Sequence, residues 1–165
     1  MPRPLIIWAN VDLGSKRRPY NVLEVHLSYH ETRIKVRFNE VDAYRMAWHG
    51  HYVAWMEVGR NELAGLFGLD AEQLAALGYL APVVGLEMKY KRPLRYAEEA
   101  RVMTTLHPSE TATLEFSCRI VGADGAVVAT GRTVHALTDL AGVLQYRFSP
   151  VIAERLARLV AHLEG

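Results

Sequence analysis

The segment from His51 to Phe67 constrains the fold more than any other. Tyr52, Trp55, Met56, Gly59, Leu63, Leu66 and Phe67 recur there at helical spacing, and Val53, Ala54, Val58 and Ala64 widen the apolar face. A helix apolar around most of its circumference requires cover on several sides, which a curved sheet wrapping it would supply. Gly59 and Gly65 would let neighbouring backbone come close.

The strands for that cover lie on both sides of the helix. Ile34, Val36 and Phe38 alternate with Arg33, Lys35 and Arg37, predicting a strand with its apolar residues on one buried face. Downstream, Val84, Leu86, Met88 and Tyr90 alternate up to the stop at Pro93, and Val102, Thr104 and Leu106 continue the pattern. Ala112, Leu114, Phe116, Cys118 and Ile120 give the cleanest alternation. Gly122-Ala123-Asp124-Gly125 then turns the chain into a returning strand over Val127 to Thr138. Asp70 is placed to cap a short helix ending near Gly78. Ser149 and Pro150 open a final helix with Ile152, Leu156, Leu159, Val160 and Leu163 on one stripe. The order predicts an α+β domain with an antiparallel sheet, not a βαβ repeat.

Residues 1–30 show no sustained period and contain the basic cluster Lys16, Arg17, Arg18, so they are read as an extension preceding a single domain over 31–165. A hydrophobic content of 50% with 22% charged residues is that of a folding chain. Nineteen basic against eighteen acidic residues leave a net charge of +1, so no overall field draws nucleic acid or an anionic membrane. The lone Cys118 excludes an internal disulfide and fits a reducing compartment. The early apolar run Leu5 to Ala9 is too short for a signal-peptide core, which points to a cytoplasmic protein.

Several hydrolase and nucleotide signatures are missing. There is no G-x-S-x-G elbow, no glycine-rich phosphate loop, and Ile34 stands where the second histidine of a zincin motif starting at His30-Glu31 would be. What remains is the polar run Phe38-Asn39-Glu40-Val41-Asp42-Ala43 followed by Trp48-His49-Gly50-His51-Tyr52, between a strand end and a helix start. Free amides at a helix start favour charge developing on a carbonyl oxygen during acyl transfer, and a nearby carboxylate supplies base or nucleophile. An Asp in this position also serves as an ordinary turn or cap residue, so spacing alone leaves both readings open. His49 and His51 with Asp42 or Glu57 lack the spacing of a metal site, and no metal is expected. Lys89, Lys91, Arg92 and Arg95 gather positive charge around one strand end, which suits phosphates or a solvated edge.

Over residues 36–60, V-R-F-N-E-V-D-A-x5-H-G-H-Y-V-x-W-x-E-x-x-R resembles the 4-hydroxybenzoyl-CoA thioesterase family, including its Tol-Pal-associated members, and the likeness extends in order to about Leu163. The resemblance implies a hot-dog fold, in which an antiparallel sheet wraps a long central helix. It implies hydrolysis of an acyl-CoA or acyl-carrier thioester, with Asp42 as base or nucleophile and the backbone NH of His49 as oxyanion donor. Glu57 would face the acyl pocket, and Lys89, Lys91, Arg92 and Arg95 would hold coenzyme A phosphates. No cofactor is implied beyond the coenzyme A of the substrate, and subunits would pair as a homodimer or homotetramer. Phe38 and Glu40 depart from the commoner Tyr and Asp of the family pattern. A hot-dog hydratase or dehydratase, which would release no thiol, and a non-catalytic acyl-thioester binding module are the alternatives.

Overall fold

The computed structural model describes residues 28–107, 109 and 111–165, so the basic cluster at Lys16 to Arg18 lies outside the described residues. Ser28 is already tied to the domain, its amide and hydroxyl both donating to the carbonyl of Leu163.

A five-stranded antiparallel sheet is formed by β1 (His30–Lys35), β3 (Val83–Tyr90), β4 (Glu99–His107), β5 (Thr113–Gly122) and β6 (Val127–Ala136), in the order β1-β4-β5-β6-β3. The two-residue strands β2 (Tyr79–Leu80) and β7 (Thr138–Asp139) pair separately. Helix α1 (His49–Gly65) lies across one face of the large sheet, α2 (Ala71–Ala76) follows it, and α3 (Pro150–Glu164) closes the far end. The α+β arrangement expected from the strand and helix order is the one observed.

Residues of one strand register carry the helix. Thr104, Cys118, Gly131 and Met88 stand side by side on β4, β5, β6 and β3. A Cβ at Gly131 would lie 2.4 Å from the Met56 sulfur, and one at Gly59 would lie 2.6 Å from Oγ1 of Thr104. The two glycines therefore set how near α1 sits to the sheet. Gly65, also expected to admit close backbone, instead neighbours the Asp70 side chain.

Two apolar clusters fill the interior. Under the first half of α1, Tyr52, Trp55 and Met56 pack with Val36, Leu94, Val102, Cys118 and Ile120. Under the second half, Leu63 and Ala64 pack with Leu106, Leu114 and Phe116, together with Ile152, Leu159 and Leu163 of α3. Each fully buried Leu or Ile stabilises by about 1.5–3 kcal/mol. The sheet does not enclose α1 as fully as its composition suggests, since Val58 and Leu66 remain exposed.

Two local expectations are corrected. β1 ends at Lys35, and Phe38, expected on the buried face, is 81% exposed against the Tyr96 ring, while Glu40 is 1% exposed. A 3-10 turn over Phe38–Glu40 makes the exchange, because the buried Glu40 carboxylate finds its donors only there. Helix α1 starts at His49, two residues before the expected His51, since the Trp48 amide is pinned on the Glu40 carbonyl at 2.8 Å. Ser149 and Pro150 open α3 as expected, with the Ser149 carbonyl accepting the Ala153 amide, although its buried hydroxyl has no hydrogen-bond partner among the described residues.

Candidate active site

Three connections meet beside the start of α1. The first is a tight loop closed by an antiparallel bridge between Val41 and Ala47. Within it Oδ1 of Asp42 accepts the Tyr44 amide at 2.8 Å and the Met46 amide at 3.4 Å, and the Asp42 amide donates to the Met46 carbonyl. Arg45 takes φ 59°, the left-handed geometry that this turn demands. Asp42 is thus a turn residue through one oxygen, and the other has no hydrogen-bond partner among the described residues.

The second connection is the helix start itself. The cap residue Trp48 supplies no side-chain hydrogen bond, and the first turn of α1 carries no acidic residue. The His51 amide turns back to the Trp48 carbonyl, which leaves the amides of His49 and Gly50 and the positive end of the dipole for a ligand. The Trp48 ring leans on His49 at a centroid distance of 4.8 Å, and the hydroxyl of Tyr90 donates to the His49 carbonyl at 3.0 Å.

The third connection, between β3 and β4, is fixed to the other two. The Ala47 amide donates to the Leu94 carbonyl, and the Leu94 amide donates to the Tyr52 hydroxyl, both at 2.8 Å. Burial raises the Tyr52 phenol above its ordinary value, so it stays neutral. A cleft of about 410 Å³ opens among the three, lined by Asp42, Tyr44, Met46, His49, Tyr52, Tyr90, Lys91, Arg92 and Pro93.

The structure brings together Asp42, His49, Lys91 and Arg92 among the residues predicted from sequence. Arg92 is engaged on both guanidinium ends by Asp124, at 2.6 and 2.8 Å, and that bonding holds the Asp124 carboxyl well below the usual range. Arg95 lines a neighbouring open cleft of about 470 Å³ that shares Arg92. Two predicted residues do not join them. Lys89 lines a cleft on the other face of the sheet and pairs with Glu87, and Glu57 pairs with Arg60. Glu57 lies eight residues along α1 from His49, about 12 Å along the axis.

Tyr90 had read from sequence only as strand periodicity, and Tyr52 as helix periodicity at the end of the polar run, yet both line the cleft. Glu40 had read only as a member of the polar run and a departure from a motif. Its carboxylate accepts the Arg37 amide at 2.7 Å, the Arg37 guanidinium, and Nε1 of Trp55 at 3.2 Å. Arg37 followed three residues later by a Glu was the only available sign of it. Among the described residues no cluster of histidine, cysteine and carboxylates is arranged to hold a metal.

Residues 36–156 match the model of the thioesterase-like superfamily. The chain belongs to that superfamily. Within this thioesterase-like group it is 30% identical over 131 residues to the candidate esterase sll0410 of Synechocystis, a match covering 78% of this chain and 79% of that protein. It is 40% identical over 80 residues to the candidate acyl-CoA thioesterase YneP of Bacillus subtilis, covering 48% of this chain and 56% of that one. Among solved structures, the DHNA-CoA thioesterase of Staphylococcus aureus superposes with a TM-score of 0.73 at 24% identity, over 81% of this chain and 91% of that one. The hypothetical protein TT1821 of Thermus thermophilus superposes with a TM-score of 0.71 at 30% identity, over 79% and 98% of the two chains. The fold is the hot-dog fold that the sequence resemblance implied, and the class of chemistry is thioester hydrolysis. No helix among the described residues is long and apolar enough to cross a membrane.

Proposed function

We propose that this thioesterase is a cytoplasmic enzyme that hydrolyses acyl-CoA, with Asp42 as its catalytic carboxylate. The observation carrying the reading is that Asp42, with one oxygen unengaged, and the uncapped start of α1 open on the same cleft, with Lys91 and Arg92 at its rim. The thioester carbonyl oxygen takes the amide of His49, and the charge it acquires is stabilised by the helix start. Asp42 either removes a proton from the water that forms the new C–O bond or forms that bond itself as an anhydride. In both routes the C–S bond breaks and the thiolate takes up a proton; in the first the free acid leaves directly, and in the second water then cleaves the anhydride, releasing the free acid and restoring the Asp42 carboxylate. Lys91, Arg92 and Arg95 lie along one path from the cleft and would meet coenzyme A phosphates.

β3 is the outermost strand of its sheet, eight residues long, and bears the exposed Val83, Leu86 and Tyr90. Such an edge invites pairing with a second strand, which supports a homodimer joined through β3 or a tetramer of such dimers. A single active monomer in light scattering would end that part of the reading.

The deciding experiment is Asp42→Asn. Its side-chain oxygen can still accept the Tyr44 amide, so the turn and the fold survive while the ionised carboxylate is lost. Thiol release should fall by about 100-fold or more in kcat with substrate binding retained. A folded variant within about threefold of wild type would take Asp42 out of the chemistry and leave it the turn residue alone.

A further inference from the structure

Alternation along β3 turns Lys89 to the sheet face opposite α1, where it reaches a cleft of about 370 Å³. Strand register builds the floor of this cleft from hydroxyls. Thr105 of β4 stands opposite Ser117 of β5, and Thr130 of β6 stands between Arg119 of β5 and Lys89 of β3. Thr105 is 2% exposed on a face otherwise populated by charged pairs, and its Oγ1 has no hydrogen-bond partner among the described residues. Ser117 is engaged by Nε2 of His107 at 2.8 Å.

The charges around this floor are unevenly matched. Lys89 has Glu87 at 3.0 Å, and Arg132 is held by Glu115. Arg119 has no carboxylate partner among the described residues, and its guanidinium lies 4.6 Å from the centre of the Tyr29 ring. That contact steadies the cation without neutralising it.

We propose that this cleft is a second anion site, separate from the Asp42 cleft, that takes the phosphate of a small phosphate ester. Donors reach it from several directions, with the guanidinium of Arg119, the hydroxyls of Thr105 and Thr130, and the ammonium of Lys89 once it turns from Glu87. A tetrahedral oxyanion with several acceptor oxygens matches such a spread better than a planar carboxylate, which favours paired parallel donors. The volume sits near the lower end for ligand pockets, so the ester must be small. The assignment does not depend on the chemistry given to Asp42.

The test is a titration of the full chain with inorganic phosphate, followed by amide NMR shifts, with acetate at matched ionic strength as the control. Saturable shifts are expected at Thr105, Ser117, Arg119 and Thr130. Arg119→Gln, on the surface and safe for folding, should weaken that binding by about tenfold. Thr130→Val should weaken it less, and Lys91→Gln with Arg92→Gln should leave it as it is. Shifts confined to the surroundings of His49 and Arg92 would overturn the proposal. So would an unchanged affinity in Arg119→Gln, equal effects of acetate, or shifts that never saturate.

Discussion

Nε1 of Trp55 donates to the carboxylate of Glu40 at 3.2 Å, which ties the second turn of α1 to the loop leading into Asp42. The bond is buried, and the same carboxylate receives the amide and guanidinium of Arg37. Burial by itself opposes ionisation of Glu40, yet the donors around it together hold its carboxyl below the ordinary value. One buried charge thus aligns the carboxylate loop with the helix start.

Replacing Glu40 should therefore impair both fold and turnover. Glu40→Ala leaves the Trp55 N–H without its partner beside a small void, at a cost of about 2–4 kcal/mol. Glu40→Gln keeps the shape and should cost less, about 1–2 kcal/mol, because it loses the charge that strengthens these bonds. The contribution of the wild-type carboxylate is complete above its unfolded value near pH 4.3 and is lost as pH falls through the lower folded value. Urea melts from pH 7 to pH 3 on wild type and Glu40→Gln measure it. Equal slopes in the two proteins would show that Glu40 adds nothing to acid sensitivity.

Neutralising Lys91 and Arg92 together should raise KM for acyl-CoA by about tenfold or more while kcat holds, since phosphates lie far from the reacting carbonyl. The dependence of kcat/KM on salt should flatten with the lost charges. A pantetheine thioester without the nucleotide phosphates serves as the comparison, and its KM should scarcely move. A parallel rise for both substrates would place the defect in the cleft rather than in phosphate recognition.

His135 gives the molecule a dependence on mild acid. Burial lowers its imidazole below the ordinary value, with the nearby Arg60 charge acting in the same direction and the Ala81 carbonyl opposing both. Its ring nitrogens contact the Ala81 carbonyl at 3.0 Å and the Thr133 hydroxyl at 3.1 Å, so the neutral ring fits with Nδ1 as donor and Nε2 as acceptor. The unfolded chain takes up this proton first. Stability from the neutral ring is therefore complete above about pH 6.5 and falls away as pH drops toward the folded value. Thermal melts at pH 7.5 and 5.5 should separate in wild type and draw together in His135→Gln. Equal separation in both would assign the acid sensitivity elsewhere.

Cys118 should be silent in the folded protein. Burial pushes its thiol up to about 12, and its side chain lies in the core beneath α1. A thiol reagent should react at the rate of global opening and at once in denaturant. Immediate stoichiometric labelling of native protein would contradict its burial.

The sequence was most legible where period and burial agree. Leu114 to Ile120 lie on the central strand β5 and Ala112 just before it, and each alternate residue that read as apolar is buried. It was least legible at edges and turns. β3 has a neighbour on one side only and α1 covers mainly the strands beside it, so Leu86 and Tyr90 stay about half exposed despite a clean alternation. Phe38 continued the β1 pattern on paper, but the donors required by Glu40 ended the strand first. Asp42 and His49 were legible as neighbours because only six residues of loop separate them in sequence and one bridge closes that loop. Lys89 and Lys91 looked equivalent, two residues apart on a strand. β3 ends at Tyr90, however, and the amides of Lys91 and Arg92 both turn to the Val128 carbonyl, so the two lysines serve different clefts.

The bare backbone at Gly131 acts as a spacer gauge for the whole catalytic unit. Met56 fills the room left by its missing methyl, and two turns back along the same rigid helix is the oxyanion donor proposed at His49. Asp42 rides on a loop tied to α1 through Glu40 but also to the β3–β4 connection through Ala47 and Leu94, so raising α1 by a fraction of an ångström would pull one anchor of that loop against the other. The height of that one residue on β6 is therefore a route by which acyl-group preference could drift between relatives while every residue lining the cleft stays the same.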